Sequence, residues 1–223
     1  MKPTKFVSTI LLAAAALFGG PVLSAQTQTA KAELLLSLTV YDNATGGATD
    51  GVADGHQSNA PSFSTGKLND GSYSRLERGV LVFGLPPIPS GKRLVSATLR
   101  LHVRASGKDG EAVLYHSQQQ NRKTGHNDFY SDPTYLEVAG IAATPSMNAG
   151  NDHPAPVELD VTRWVLTDYH HDAGSVVSSF RIQIDDLVFT PTPGNNRYSF
   201  FGKTAPNPAH APVLELTFAS DAR

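Results

Sequence analysis

The stretch RLVSATLRLHVRA (residues 93–105) gives the clearest indication of the fold class, because its side chains alternate between two chemical classes. The apolar members are Leu99, Leu101 and Val103. The polar members between them are Arg100, His102 and Arg104. Successive side chains of a β-strand point to opposite faces of the sheet, so this period of two predicts a strand with one buried face and one polar face.

Short runs of the same style recur along the chain, separated by Gly, Pro, Asn and Asp. They cover residues 34–42, 77–85, 111–118, 156–161, 178–186, 198–203 and 212–219. About eight such strands predict an all-β fold in which two antiparallel sheets pack face to face as a β-sandwich.

Three segments stand outside this strand pattern. Residues 162–171 carry the only helical pattern, so we expect one short helix there. Residues 43–66 and 120–135 are rich in Gly, Asn, Ser and Asp and are predicted to be long loops. Loops on a rigid sandwich commonly carry binding residues.

The N-terminal segment 1–25 has the features of a secretory signal peptide. Lys2 and Lys5 precede an apolar run, and small residues end near Ala25. The run is too short to span a bilayer. We therefore expect an exported protein, either secreted or held in the periplasm or at the cell surface. Residues 26–33 are predicted to be a flexible tail, and residues 34–219 to form a single domain.

The composition excludes several classes of protein. There is no cysteine, which excludes disulfides and thiolate chemistry. The formal net charge is −2, and cleavage of the signal peptide removes two lysines, so nothing resembles the basic footprint of a nucleic-acid binder. No later segment is apolar for long enough to form a membrane helix. We expect a monomer with no nucleic-acid partner and no membrane insertion.

The stretch DVTRWVLTDYHHDAG (residues 160–174) is rich in reactive residue types but is interpreted as scaffold. Asp160 or Thr162 can accept hydrogen bonds from the free amides that begin a helix. Trp164, the only tryptophan, is predicted to plug one end of the sandwich. His170 and His171 point about 100° apart on a helix, so we do not expect them to share a metal ion.

Three aspartates suggest a possible calcium site. Asp42, Asp50 and Asp54 flank or lie within the Gly-rich segment that follows the first predicted strand. An EF-hand is excluded, because its third ligand position is apolar and its twelfth is proline. A structural Ca²⁺ site that combines these carboxylates with backbone carbonyls stays open, beside the ordinary turn chemistry of Asp-Gly pairs.

A binding surface is predicted on the polar face of residues 93–105. Arg100, His102 and Arg104 lie close enough along one strand face to act together, and we expect Arg181 to join them in meeting an anionic polymer. Tyrosines in the loops are expected to stack on sugar rings. These are Tyr73, Tyr130 and Tyr135. The alternative interpretation is a solvated sheet face and aromatic loop anchors.

Signatures of catalysis are absent. There is no Gly-x-Ser-x-Gly motif, and no Ser–His–Asp order can be selected from the sequence. The segments RLER (75–78) and QIDD (183–186) faintly resemble motifs of jelly-roll alginate lyases, but Asp185 stands where that family has its catalytic histidine. We therefore expect no enzymatic activity.

Three longer segments together resemble one known family. Residues 77–103 (ERGVLVFGLPPIPSGKRLVSATLRLHV) resemble the Arg-x-Leu-Leu-x-Phe-Asp-Leu…Leu-Pro-x-Gly…Ala-x-Leu-x-Leu core of the DNRLRE-domain family, which includes the family 96 carbohydrate-binding modules. Residues 157–165 are similar to its Asp-Val-Thr-x-Trp-Val element, and residues 198–218 to its closing strand pair. The chain departs from the pattern at Gly84, where the family has Asp, and lacks the Asp-Asn-Arg-Leu-Arg-Glu string.

The resemblance implies an extracellular, non-catalytic jelly-roll domain, several relatives of which bind acidic polysaccharides such as alginate. The leading hypothesis is thus an exported carbohydrate-binding domain for an acidic or cell-envelope polysaccharide. The second is a structural or adhesive surface protein without sugar affinity, and the third is a jelly-roll polysaccharide lyase.

Overall fold

The computed structural model describes residues 27–43, 50–69, 74–105, 112–117, 129–130, 135–141, 156–171, 176–184 and 196–220. The strands in these ranges are β1 (Thr27–Lys31), β2 (Glu33–Asn43), β3 (Gly55–Ser58), β4 (Ser62–Asn69), β5 (Ser74–Gly84), β6 (Lys92–Ala105), β7 (Ala112–Ser117), β8 (Tyr135–Ile141), β9 (Pro156–Asp160), β10 (Val177–Ile184), β11 (Asn196–Phe201) and β12 (Val213–Ser220). An α-helix, α1 (Thr162–His171), follows β9, and a 3₁₀ helix (Pro208–His210) precedes β12.

The described strands pair in the order β1-β12-β6-β11-β4-β5-β10-β7-β8, with β2 and β3 attached to β5 and β9 attached to β6. Every pairing is antiparallel. The strands β1, β12, β6 and β9 form one layer, and the remaining strands form the other. Side chains from both layers share one apolar core, among them Leu99 and Leu214 from the first and Leu81 and Phe180 from the second. The prediction of an all-β antiparallel sandwich is confirmed.

Strand β6 is the longest strand described, with 14 residues, and it holds the two layers together. It pairs with β12 from Lys92 to Arg100, with β9 from Thr98 to His102, and with β11 at Val103 and Ala105. Its apolar residues Leu99 and Leu101 are fully buried. The alternation from Ala97 to Val103 therefore fixes which side chains in this part of the strand fill the core and which point to the other face.

The N-terminal part of the described chain corrects one prediction. Residues Thr27–Lys31, expected within a flexible tail over 26–33, form β1 and pair with β12. The backbone amide of Ala32 donates to the Leu214 carbonyl at 2.9 Å, and β2 then pairs with β5 in the other layer. The side chains of β1 are small or polar, so they show no apolar alternation that would predict a strand. Backbone hydrogen bonds hold this strand in the sheet.

Two further strands lie where a loop was predicted over residues 43–66. Strand β3 is short and mostly exposed, whereas β4 is buried almost throughout. The buried side chains of β4 include polar ones: Ser64, Thr65, Lys67 and Asn69. A strand that buries polar residues lacks apolar alternation, so the pattern that revealed the other strands missed this one. Strand β8 was also missed, within a segment that had no strand assignment.

The predicted helix over residues 162–171 is confirmed as α1. The Asp160 carboxylate accepts hydrogen bonds from the backbone amide of Thr162 at 2.9 Å and from its hydroxyl at 2.6 Å. Both hydrogen bonds hold the pKa of Asp160 below its usual value, and the bond from the hydroxyl has the larger effect. The Thr162 hydroxyl oxygen in turn accepts the amide of Ala97 on β6 at 2.8 Å, which ties the start of the helix to the sheet.

The helix is fixed to the core by a buried pair of polar side chains. His116 on β7 is fully buried, and its Nε2 lies 2.9 and 3.0 Å from the two carboxylate oxygens of Asp168. The rings of Trp164 and Phe180 pack around this imidazole, at 5.4 and 5.5 Å between centroids. The partly buried Trp164 thus covers a charged or strongly polar contact at the end of the core.

Removing one member of this pair is expected to destabilise the fold strongly. Asp168→Ala leaves the buried His116 without this carboxylate and should lower the free energy of unfolding by about 3–5 kcal/mol. Replacing both members with apolar residues, His116→Phe with Asp168→Leu, should recover much of that loss. Urea unfolding followed by circular dichroism measures both, with the exposed His170→Gln as the control, which should stay within about 0.5 kcal/mol of wild type. A loss below about 1 kcal/mol for Asp168→Ala would contradict the assigned role.

Candidate functional site

The polar side chains of β6 lie on the outer face of the layer β1-β12-β6-β9. Arg100 and Arg104 alternate with buried Leu99, Leu101 and Val103, so they point away from the core. Arg104 is exposed, and its Nη1 donates to the Ser62 hydroxyl at 3.0 Å. The predicted row of polar side chains along this strand is therefore present at the surface.

Arg100 shares its charge with a residue of the neighbouring strand. The register places Glu158 of β9 directly opposite Arg100, and Arg100 Nε lies 2.8 Å from Glu158 Oε1. The two side chains are 39% and 51% exposed, so the pair is accessible to solvent and contributes little to stability. An anionic ligand could exchange with Glu158 at this guanidinium.

His102 is the most enclosed member of the row, at 8% exposure. Its ring lies 5.1 Å from that of His210, and the His210 ring lies 5.0 Å from that of Phe201. No hydrogen-bond partner of His102 Nδ1 is found within the described part of the chain. Burial lowers the pKa of His102, and the nearby charges of His210 and then Arg100 lower it further, while a His210 backbone contact opposes them.

The position of His210 follows from the 3₁₀ helix Pro208–His210. The Asn207 carboxamide oxygen accepts the amide of Ala209 at 3.0 Å and caps this turn. Asn207 Nδ2 lies 3.4 Å from His210 Nε2, which orients the ring. Phe201 ends β11, next to Phe200 of the core, and points outward. We call the surface formed by Arg100, His102, Arg104, Phe201 and His210 the β6 face.

Sequence reasoning missed Phe201, His210 and Glu158. Each lies more than 50 positions from β6, and their proximity depends on strand register, which the sequence does not reveal. Phe201 did carry a signal, because in the predicted strand 198–203 it occupies the position opposite in face to the apolar Phe200. That pattern marks an outward aromatic side chain.

Two residues of the predicted contact surface lie away from the β6 face. Arg181 lies on β10 in the other layer, is only 6% exposed, and its Nη1 donates to the Tyr130 carbonyl at 2.9 Å. It points to the opposite side of the sandwich from Arg100 and cannot join the same row. Tyr130 is 2% exposed and packs in a small second core with Leu38 and Val40, so its ring cannot stack on a sugar.

Tyr130 acts instead as an anchor. The Arg78 guanidinium lies 4.1 Å from the centroid of its ring and also donates to its carbonyl. Burial raises the pKa of the Tyr130 hydroxyl to about 12; Arg78 opposes this rise and Asp42 adds to it. The guanidinium groups of Arg78 and Arg181 both donate to this carbonyl. They therefore hold the backbone at residue 130 against β5 and β10.

The three aspartates of the calcium prediction are engaged by backbone amides. Asp42 Oδ2 accepts Gly51 N at 2.8 Å, Asp54 Oδ2 accepts Asn43 N at 2.7 Å, and Asp50 Oδ1 accepts Val52 N at 2.9 Å. The first two bonds tie the described residues 50–54 to the end of β2, and the third is the local bond of an Asx turn. Among the described residues, no group of three or more His, Asp or Glu side chains could hold a metal ion, so the calcium prediction gains no support from them.

Asp42 is the buried member of this group. Its side chain is fully buried, and burial raises its pKa, with the charges of Asp50 and Asp54 adding to the rise and the Gly51 amide opposing it. No hydrogen-bond partner of its Oδ1 is found in the described residues.

Part of the predicted binding surface lies outside the described residues. The side chain of Tyr135, residue Tyr73 and nearly all of the loop 120–135 fall there, as does the predicted signal peptide. The contributions of the two tyrosines to ligand stacking stay predictions.

No protein-family model matches the chain, and none of the curated proteins is similar to it. Within the part of the chain that the structure describes, no helix is long and apolar enough to cross a membrane.

The two perturbed aspartates should affect stability in opposite directions. Asp42→Asn keeps an acceptor for Gly51 and removes a buried charge, so it should raise the free energy of unfolding at about pH 7, and this gain should vanish near pH 3, where Asp42 is protonated. Asp160→Ala should instead cost about 0.5–2 kcal/mol at about pH 7, through loss of the helix cap, and cost less at about pH 3.

Denaturant unfolding of both variants over this pH range measures the two profiles against wild type. An Asp42→Asn variant that is less stable than wild type at neutral pH, and remains so in acid, would contradict the assigned burial cost of the carboxylate.

Proposed function

We propose that the protein is an exported, non-catalytic carbohydrate-binding domain that holds an acidic or cell-envelope polysaccharide on the β6 face. One observation carries the proposal. On a single outer sheet face, two guanidinium groups, two imidazoles and an outward phenyl ring lie side by side. This mixture of cationic, hydrogen-bonding and flat apolar groups suits a charged sugar chain.

Each part of the β6 face has a role in this binding. Arg104 is exposed and donates a hydrogen bond to the uncharged Ser62 hydroxyl, so its guanidinium can pair with a uronate or sulfate group. Arg100 can do the same in exchange for Glu158. Phe201 offers an apolar ring surface against which the carbon face of a pyranose ring can pack.

We assign binding rather than catalysis to this surface. Glu158, the carboxylate that contacts the β6 face, is engaged by Arg100 and is half exposed. A general acid or base of a glycosidase or lyase needs a carboxylate or imidazole directed at a bound substrate with its proton free to move. In the described part of the β6 face, this carboxylate is held in an ion pair and the two imidazoles lie beside cations, an arrangement that suits charge pairing and stacking.

The proposed family is consistent with the way the recognised segments pack. Residues 77–103, 157–165 and 198–218, which resemble DNRLRE-domain motifs, contain β5, β6, β9, β11 and β12 and part of α1. Strand β6 pairs directly with β9, β11 and β12. These segments therefore supply β6 together with all of its pairing partners among the described strands, and β5 in the opposite layer. We propose a jelly-roll carbohydrate-binding domain related to that family.

A structural or adhesive role without sugar affinity is the second candidate. The ion pair between Arg100 and Glu158 favours it, because this pair neutralises part of the positive charge of the β6 face. A glycan array separates the two: a spacer gives no signal on any glycan, whereas the proposed binding domain gives signals on acidic glycans.

The proposal predicts that Arg100→Ala with Arg104→Ala abolishes retention on acidic polysaccharide in affinity electrophoresis. Two charge-assisted contacts are lost, each of about 1.5–3 kcal/mol. A matched control removes two charges elsewhere, Lys92→Ala at the far end of β6 and Arg163→Ala on α1, and should retain wild-type binding. Binding of wild type should also weaken with added salt, because the pairs are exposed.

Retention of the Arg100→Ala/Arg104→Ala variant at wild-type strength would exclude the β6 face as the site. Formation of new unsaturated or reducing ends in the polysaccharide would exclude a non-catalytic role and favour the lyase hypothesis.

A further inference from the structure

Two histidines from distant parts of the chain face each other within the β6 face. His102 and His210 lie 5.1 Å apart between ring centroids, and His102 is largely enclosed. Imidazole is the side chain whose charge ordinarily changes between pH 5 and 8. A pair at this distance cannot take up two protons without mutual repulsion. The protonation state of the two histidines therefore depends on the other charges that surround them.

Neighbouring described elements bring several charged groups towards His102. On β12, which pairs with β6 as far as Arg100, the charged residue is Glu215, and it lies opposite Thr98 rather than His102. Strand β6 contributes Arg100 and Arg104, β9 contributes Glu158, β11 contributes the uncharged Phe201, and the 3₁₀ helix contributes His210. Glu158 is already paired with Arg100. The pair of histidines therefore has cations as neighbours and lacks a carboxylate of its own among these groups.

We infer that ligand binding at the β6 face is coupled to proton uptake by the His102–His210 pair, so that an anionic polysaccharide is held more tightly at mildly acidic pH than at neutral or alkaline pH. This inference rests on the proposed function, because it names how the same site is regulated. The ligand carboxylate supplies the negative charge that the pair lacks. Proton uptake and ligand binding then favour each other by linkage.

The direction of the coupling follows from the state of the free protein. Burial, and then the charges of His210 and Arg100, lower the pKa of His102, so this imidazole resists protonation in the unliganded protein. A bound anion stabilises the protonated imidazole and raises that pKa again. Protons are thus taken up on binding in the range around and below the ordinary value of 6.5. Affinity must therefore rise as the pH falls through that range.

The free protein has a corresponding cost. Because the folded-state pKa of His102 lies below its unfolded value, the unfolded chain binds more protons between the two values. The contribution of His102 to the free energy of unfolding of the ligand-free protein is therefore fully present above about pH 6.5 and is lost as the pH falls. An acidic ligand should offset this decline.

The test measures the affinity for a soluble polyuronate by isothermal titration calorimetry between about pH 5.5 and about pH 7.5. Uronate carboxylates stay ionised over this range, so their own charge does not change. Wild type should bind about five- to tenfold more tightly at the lower pH, with proton uptake visible as a dependence of the heat on the buffer. His102→Gln and the more exposed His210→Gln should each flatten the profile, while the control His170→Gln on α1 should keep it.

A second measurement needs no ligand. Proton NMR titration of the imidazoles should give a higher pKa for His102 in the His210→Gln variant than in wild type, because the neighbouring charge is removed. An unchanged His102 titration would overturn the pairing. Binding of wild type that is equally tight at both pH values would overturn the proton coupling and leave the proposed function standing. Absence of binding at every pH would overturn the proposed function and the coupling together.

Discussion

The structure depends on one constraint: between Ala97 and Val103, β6 must direct every second side chain into the core while both of its edges are paired. Along 14 residues it pairs with β12, β9 and β11, and its apolar set fills the core shared by the two layers. A shift by one residue would exchange the buried leucines for arginines and a histidine. The same constraint that stabilises the sandwich therefore fixes a row of polar side chains at the surface.

The rest of the candidate site is brought to that row by pairing and by one capped turn. Strand β9 places Glu158 opposite Arg100, β11 ends with Phe201 turned away from the core, and the Asn207 cap orients His210. The buried polar contact between His116 and Asp168 has a different role, because it fixes α1 to β7 and is closed to solvent. Polar side chains of similar chemistry therefore have two roles in this protein. His116 and Asp168 stabilise the fold, whereas His210 and Arg100 lie at a surface.

Much of the fold could be predicted from the sequence, because apolar alternation reports burial directly. It identified β6, the strands around Leu81, Phe180 and Leu214, and the helix that follows Asp160. It failed for β1, whose contribution is made by backbone hydrogen bonds, and for β4, whose buried side chains include Thr65 and Lys67. Neither kind of strand leaves a period-two pattern.

The site was less predictable than the fold. Arg100, His102 and Arg104 could be placed on one face because they belong to one strand. Arg181 was grouped with them from its residue type, although its strand lies in the other layer, and Tyr130 was assigned to a surface loop although its ring fills a second core. Layer assignment and loop packing depend on contacts between distant segments, and a single sequence does not encode them in a readable pattern.

We propose that an acidic polysaccharide binds the outer face of β6 and not another surface of the sandwich. Backbone NMR with stepwise addition of a uronic-acid oligomer at mildly acidic pH tests it most directly. The account predicts that the largest shift changes fall on Arg100, His102, Arg104, Phe201 and His210. Changes centred on the opposite layer, around Tyr115 and Arg181, or no changes at saturating oligomer, would contradict it.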